Sequence, residues 1–175
     1  ASIKNMKELA VSSFSGKPRL HIVYLMLKDN IREIPILFDL AHEVGIHEIV
    51  LLNIIQVTSK EQDIQKTFTC EEGSLNKNVM AEAVNKTKKL RINLSVPAVL
   101  PQNVAVCSEN PLDNIYISVD GDVSPCVYLN PPVSSPFTRI FCGSEFPTLP
   151  VRLGNIFTEP LDKIWASKEY EDFRD

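Results

Sequence analysis

The first hundred residues alternate between apolar runs and apolar residues at helical spacing. Residues 18–27 and 48–55 are nearly continuous apolar stretches, which are typical of strands buried on both faces. The segment between them repeats apolar residues every three or four positions, namely Ile34, Leu37, Phe38, Leu40, Ala41 and Val44. The pattern predicts a right-handed βαβ unit with parallel strands over 19–27 and 48–55 and a helix over 31–44.

Both ends of that helix carry termination signals. Asn30 is followed three positions later by Glu33, the arrangement of a capping box, and Pro35 falls in the first turn. Gly45 follows the last periodic residue, where glycine commonly ends a helix. The same reasoning predicts a helix over 3–11, another over 75–90, and a third strand within 91–99. The proline-rich segment 131–150 is predicted to be a loop.

A hairpin is the clearest feature of the second half. Residues 114–119 alternate apolar and polar side chains and are rich in β-branched and aromatic types, which predicts a strand. Asp120-Gly121 follows as the turn, and residues 122–125 form a short return strand that Pro125 ends. Cys107 precedes this hairpin by a few residues and Cys126 follows it, so the fold could bring the two thiols close together.

The four cysteines, Cys70, Cys107, Cys126 and Cys142, allow three complete disulfide pairings. The sequence shows no secretory signal, and in a reducing cytoplasm cysteines usually ligate metals, act in catalysis or fill a core. Two interpretations of Cys107 and Cys126 remain open: ligands of zinc or an iron–sulfur cluster, or buried thiols. Cys70 lies beside two glutamates that disfavour its thiolate, so it is interpreted as incidental.

Composition excludes several classes of partner. The formal net charge is −4, which argues against a general nucleic-acid-binding surface. No apolar run approaches the roughly 20 residues that span a bilayer, so no membrane partner is expected. We therefore expect a cytoplasmic protein.

The hairpin resembles the SPASM or Twitch accessory domain of radical S-adenosylmethionine enzymes. Cys107 is separated by thirteen residues from Gly121, and Gly121 by four residues from Cys126, as in that family. The downstream text agrees in three places: Leu153 to Phe157, Pro160 to Trp165, and Tyr170 to Arg174. The resemblance therefore covers residues 107–174.

The resemblance implies an α/β fold of two domains. Residues 1–100 would be the C-terminal part of a partial (β/α)6 TIM-like barrel, and 101–175 a truncated SPASM/Twitch-like domain of a β-hairpin plus helix. The chain would then be a fragment of a longer radical S-adenosylmethionine oxidoreductase or maturase. The three-cysteine motif of the catalytic cluster is absent from this sequence, so we expect no S-adenosylmethionine cleavage by the chain alone and no catalytic residue in it.

The resemblance also implies cofactors and their ligands. An auxiliary [4Fe-4S] cluster would be held by Cys107, Cys126 and Cys142, with Cys142 alternatively a buried thiol. The parent protein would also bind S-adenosylmethionine and a catalytic [4Fe-4S] cluster. Asn30, which a helix cap already explains, and Asn53 are the candidate contacts to S-adenosylmethionine.

Three functional interpretations follow. The first is the auxiliary-cluster and substrate-positioning region of a radical enzyme that acts on a peptide or small molecule, with a homodimer formed through the exposed barrel edge. The second is a non-catalytic module with structural zinc, and the third is an α/β interaction domain with reduced core cysteines. Iron and sulfide in the reconstituted protein would favour the first interpretation, and colourless zinc the second.

Overall fold

The computed structural model describes residues 2–13, 20–67, 77–98, 107, 109–133 and 135–175. The chain divides into two compact units, Ala1–Gln102 and Asn103–Asp175. We call them the N-terminal unit and the C-terminal unit and describe each by itself.

The N-terminal unit is a three-stranded parallel sheet with helices. Its elements in order are α1 (Ser2–Ser13), β1 (Ile22–Leu25), a 3-10 turn (Ile31–Glu33), α2 (Ile34–Val44), β2 (Glu48–Leu52), α3 (Lys60–Gln65), α4 (Lys77–Leu90) and β3 (Asn93–Ser95). The strand order is β1-β2-β3, and both pairings are parallel. The predicted parallel strand–helix–strand unit is therefore confirmed, while its handedness stays a prediction.

The core of this unit lies between the sheet and the helices. Phe38 of α2 and Ile49 of β2 are fully buried, and Ala83 of α4 and Ala10 of α1 pack into the same cluster. Phe38 belongs to the apolar face that helical spacing predicted for α2, and Ile49 belongs to the alternate residues of β2 that face the helices. Burial of this continuous apolar surface is what holds the helices onto the sheet.

The expectation that both sheet faces are buried is wrong for β1. Val23 and Leu25 are 53% and 45% exposed, whereas their neighbour Met26 is buried. Successive strand residues point to opposite faces, and among the described residues the helices cover one face of this sheet. The described part is thus a mixed α/β structure with an open sheet; it does not show the predicted partial barrel.

The Asn30 capping box is also not formed. Asn30 makes no side-chain cap; instead its Oδ1 accepts from Leu27 N at 2.8 Å and its Nδ2 donates to Leu25 O at 3.0 Å. The amide therefore ties the end of β1 to the following turn. At the other end of α2 the prediction is confirmed, because Gly45 adopts the left-handed conformation with φ 79°.

The C-terminal unit contains two small antiparallel sheets. Its elements are β4 (Tyr116–Ile117), β5 (Asp122–Ser124), a 3-10 turn (Val127–Leu129), β6 (Phe137–Phe141), β7 (Ser144–Thr148), β8 (Gly154–Asn155), α5 (Leu161–Trp165) and α6 (Lys168–Arg174). One sheet has the order β4-β5-β8 and the other pairs β6 with β7. The hairpin around Asp120-Gly121 is confirmed, with Ile117 opposite Val123.

The prediction that 131–150 is a loop is wrong, because β6 and β7 form a hairpin there. Their turn consists of Cys142 and Gly143, which both have positive φ, 51° and 77°, as a two-residue hairpin turn requires. Pro147 lies within β7, opposite Thr138. In a sheet of two strands one edge of β7 is free, so the missing N–H of Pro147 need not break a ladder bond.

Candidate metal centre

The β4–β5 hairpin positions Cys126 because β5 ends one residue before Pro125. Ser124 closes the ladder opposite Tyr116, and Pro125 cannot donate to a continued one. Cys126 then takes an extended backbone conformation and caps the 3-10 turn Val127–Leu129. Its side chain is 8% exposed and belongs to the buried residues of the unit.

Three hydrogen bonds fix Cys126. The Sγ atom accepts from Tyr128 N at 3.4 Å, so the thiol takes the place that a serine or aspartate oxygen has in an ordinary cap. The Cys126 carbonyl accepts from Leu129 N at 3.1 Å and from the hydroxyl of Ser124 at 3.2 Å. Sulfur, turn and carbonyl are therefore held as one local structure.

Cys107 has a different environment. It is an exposed free thiol, and its carbonyl accepts from Asn110 N at 2.9 Å at the start of the turn that leads into β4. Cys126 is also a free thiol. The candidate pair thus combines one buried, hydrogen-bonded sulfur with one exposed sulfur.

Tyr128 lies in the 3-10 turn that Cys126 caps. Burial is the largest cause that raises the pKa of the Tyr128 phenol, and charge interactions raise that pKa further, that with Glu109 most among them. A cleft of about 220 Å³ opens beside Cys126, and Glu109 and Tyr116 are among the residues that line it.

The donor set fits part of an iron–sulfur centre. Two thiols are soft donors of the type that iron–sulfur clusters and zinc prefer, and a backbone N–H beside one of them suits a charged sulfur. A [4Fe-4S] cluster is usually held by four thiolates. Among the described residues no group of three or more His, Cys, Asp or Glu side chains is arranged for a metal ion. Cys107 and Cys126 as ligands therefore stay a prediction.

The described residues do not place the other two cysteines beside this pair. Cys142 lies at the exposed tip of the β6–β7 hairpin and takes part in a disulfide bond. Its role as a cluster ligand stays a prediction that concerns the reduced protein. Cys70 lies outside the described residues.

Asn30 and Asn53 follow neighbouring parallel strands at the carboxyl edge of the N-terminal sheet. Such an edge is where open α/β sheets bind ligands. Asn53 is buried, donates from Nδ2 to Ala98 O at 2.7 Å and accepts at Oδ1 from the Thr67 hydroxyl at 2.8 Å. Asn30 is used in the same manner by the end of β1. Both amides therefore join loops, and their contact with a cofactor stays a prediction.

Sequence reasoning missed Ser124 and Tyr128, which sit on either side of Cys126. The dipeptide Ser124-Pro125 was a readable signal, since a serine before a strand break commonly bonds a nearby carbonyl or amide. The partner of Tyr128 N was not readable, because a backbone donor leaves no trace in the sequence.

One comparison with known proteins matches the part of the chain that carries these two cysteines. Residues 107–175 match the family model of SPASM, described as an iron-sulfur cluster-binding domain. The match begins at Cys107 and includes the hairpin, Cys126 and both C-terminal helices. A comparison with curated proteins found no match to the chain. In the part of the chain that the structure describes, no helix has both the length and the apolar character to cross a membrane.

Proposed function

We propose that the C-terminal unit binds an auxiliary iron–sulfur cluster of a radical S-adenosylmethionine-type enzyme, with Cys107 and Cys126 as ligands. The observation that carries the proposal is the placement of two free thiols, Cys107 before and Cys126 after the β4–β5 hairpin, within a segment that matches an iron-sulfur cluster-binding domain. When bound, such a cluster would accept or pass on an electron. The residues of this chain would hold it, with Cys126 fixed before binding and Cys107 approaching from the exposed side.

The wider proposal concerns the protein in which this unit works. In the parent protein, a segment with the three-cysteine motif would hold the catalytic [4Fe-4S] cluster and S-adenosylmethionine. The open N-terminal sheet would be part of its partial barrel. Asn30 and Asn53 would face S-adenosylmethionine at the carboxyl edge of that sheet. The substrate would be a peptide or a small molecule, the protein would work in the cytoplasm, and an exposed barrel edge would support a homodimer.

Reconstitution separates this function from its rivals. The reduced chain is incubated anaerobically with iron and sulfide, desalted, and analysed for protein-bound iron, acid-labile sulfide and visible absorption. We expect a coloured iron–sulfur species in the wild type and its loss in Cys107→Ser/Cys126→Ser. Cys70→Ser is the matched control and should retain iron and sulfide, and Cys142→Ser tests the third predicted ligand.

Two outcomes would contradict the proposal. If the double variant takes up as much iron and sulfide as the wild type, Cys107 and Cys126 are not the ligands. If the purified wild type holds stoichiometric zinc that iron does not replace, the structural zinc module is favoured instead.

A further inference from the structure

Ser124 lies two residues before the proposed ligand Cys126. Its residue is fully buried at the end of β5, and its hydroxyl donates to the Cys126 carbonyl at 3.2 Å. A buried hydroxyl without a partner is costly, so this bond persists in the folded unit. This hydrogen bond therefore connects the residues on either side of Pro125, where the hydrogen-bond ladder of the sheet ends.

The carbonyl that accepts from Ser124 belongs to Cys126, whose sulfur is one of the proposed ligands. Leu129 N donates to the same carbonyl at 3.1 Å, which closes the 3-10 turn Val127–Leu129. This turn is what presents Tyr128 N to Cys126 Sγ at 3.4 Å. The order of dependence therefore runs from the Ser124 hydroxyl, through the Cys126 carbonyl and the turn, to the sulfur.

We propose that Ser124 is a positioning residue for a metal or cluster bound at Cys126. It holds the sulfur and the Tyr128 amide in the arrangement that a bound thiolate needs, and this inference rests on the proposed function. Hydrogen bonds to ligand sulfurs and to the groups that orient ligands set both metal affinity and cluster potential.

Cobalt(II) is the probe for the test, because its binding to thiolates gives a sulfur-to-cobalt charge-transfer band without any catalytic activity. The reduced full chain is titrated anaerobically, and the apparent dissociation constant is compared among variants. We expect Ser124→Ala to weaken binding about tenfold, the lower range for loss of a group that orients a ligand. Ser124→Thr, which retains the hydroxyl, should recover most of the affinity.

The matched control is Ser118→Ala, which removes another side-chain hydrogen bond of the same hairpin. The Ser118 hydroxyl accepts from Asp122 N at 3.1 Å, at the opposite end of β5 from Cys126. We expect this variant to lose thermal stability without a change in cobalt affinity. If Ser124→Ala behaves like Ser118→Ala, with lower stability and unchanged affinity per folded molecule, Ser124 is merely structural and the inference is overturned.

A second measurement applies if Ser124→Ala does not fold. In the wild type, the Tyr128 amide should exchange with solvent more slowly than the Val127 amide, and more slowly again when cadmium(II) is bound. Unchanged or faster exchange of the Tyr128 amide on metal binding would overturn the inference. If the wild type binds neither metal, the proposed function fails together with it, whereas wild-type binding with no effect of Ser124→Ala overturns the positioning role alone.

Discussion

The two units of this chain differ in the size of their buried apolar clusters. Among the described residues, the N-terminal unit buries a cluster with members on three helices and on β2, Phe38 and Ile49 among them, and partly buried residues of β1 and β3 pack against it. The C-terminal cluster has three fully buried members, Val123, Ile164 and Tyr170. A small apolar core supplies little stability, and small domains commonly add metals or cross-links to offset this. Cys107, Cys126 and Cys142 lie in the unit with the smaller described cluster, where a metal or a cross-link would add most to stability.

The largest loss of stability is expected when Ile164 is truncated. The Ile164 side chain is completely buried, and it is one of the three fully buried members of the C-terminal cluster. Ile164→Ala should cost about 3 kcal/mol of unfolding free energy, from lost burial and the cavity left behind. The single tryptophan, Trp165, reports the unfolding of the C-terminal unit by fluorescence in a denaturant titration.

Leu161→Ala in the same helix is the control for this change. Leu161 is 40% exposed, so its truncation should cost less than about 1 kcal/mol. Equal destabilisation by the two variants would show that the small cluster is not the core of this unit.

Gly121 tests the hairpin that carries Cys126. Its φ is +81°, and an added Cβ would lie 2.6 Å from Phe157 Cδ2 and 2.8 Å from Asn155 Oδ1. Gly121→Ala should cost about 2 kcal/mol, the sum of a left-handed backbone penalty and the displacement of an exposed phenylalanine. Circular dichroism thermal melts of the metal-free chain provide the measurement.

Gly143→Ala is a matched control, because Gly143 has a similar φ of +77° and an added Cβ would meet nothing within 4 Å. The backbone penalty alone, about 1 kcal/mol, is expected there. A Gly143 variant as unstable as the Gly121 variant would mean that the Phe157 contact contributes nothing.

Asn53→Ala should cost about 1.5 kcal/mol in the N-terminal unit, because it leaves the Thr67 hydroxyl and the Ala98 carbonyl without their partner. Asn93→Ala, on an exposed strand residue, should change the unfolding free energy by less than about 0.5 kcal/mol. Denaturant titrations followed by circular dichroism measure both. An Asn53 variant as stable as wild type would remove the structural explanation of this amide and favour a ligand-binding one.

The smallest effect is a pH dependence in the N-terminal unit. Burial, followed by the hydrogen bond and the charge of Glu33, raises the pKa of Tyr24 from 10.0 to about 12. A raised pKa means that the folded state holds the proton more tightly, so this contribution is complete below pH 10 and is lost as the pH rises toward 12. Tyr24→Phe should flatten that part of the stability profile; an unchanged slope would contradict the assignment.

The elements that periodicity specifies were predictable from the sequence. The parallel pairing of β1 and β2, the helix between them and the Gly45 terminus follow from apolar spacing and glycine conformation. The helix Lys60–Gln65 was missed although Ser59 and Gln62 form a capping box there, because its short sequence has no apolar stripe. Asn30 is not a cap because its amide instead bonds Leu27 N and Leu25 O, three and five residues before it, and the capping pattern alone does not distinguish these local alternatives.

The candidate site was predictable as a pair of cysteines and no further. The hairpin of Asp120-Gly121 and the break at Pro125 explain why Cys126 emerges at the end of β5. The support from Ser124 and the Tyr128 amide depends on a turn whose hydrogen bonds form only after the strand has ended. The β6–β7 hairpin was missed because its turn uses Cys142 in place of the asparagine or glycine that signals such turns.

We expect an iron–sulfur cluster held by Cys107 and Cys126 to stabilise the C-terminal unit. Amide hydrogen exchange of the full chain tests it most directly, measured by mass spectrometry before and after anaerobic reconstitution with iron and sulfide. We predict slower exchange in peptides covering 151–175 of the wild type and no change for Cys107→Ser/Cys126→Ser, with peptides over 34–52 as the internal reference. Equal exchange of 151–175 with and without bound iron and sulfide, or equal protection in the double variant, would contradict the claim.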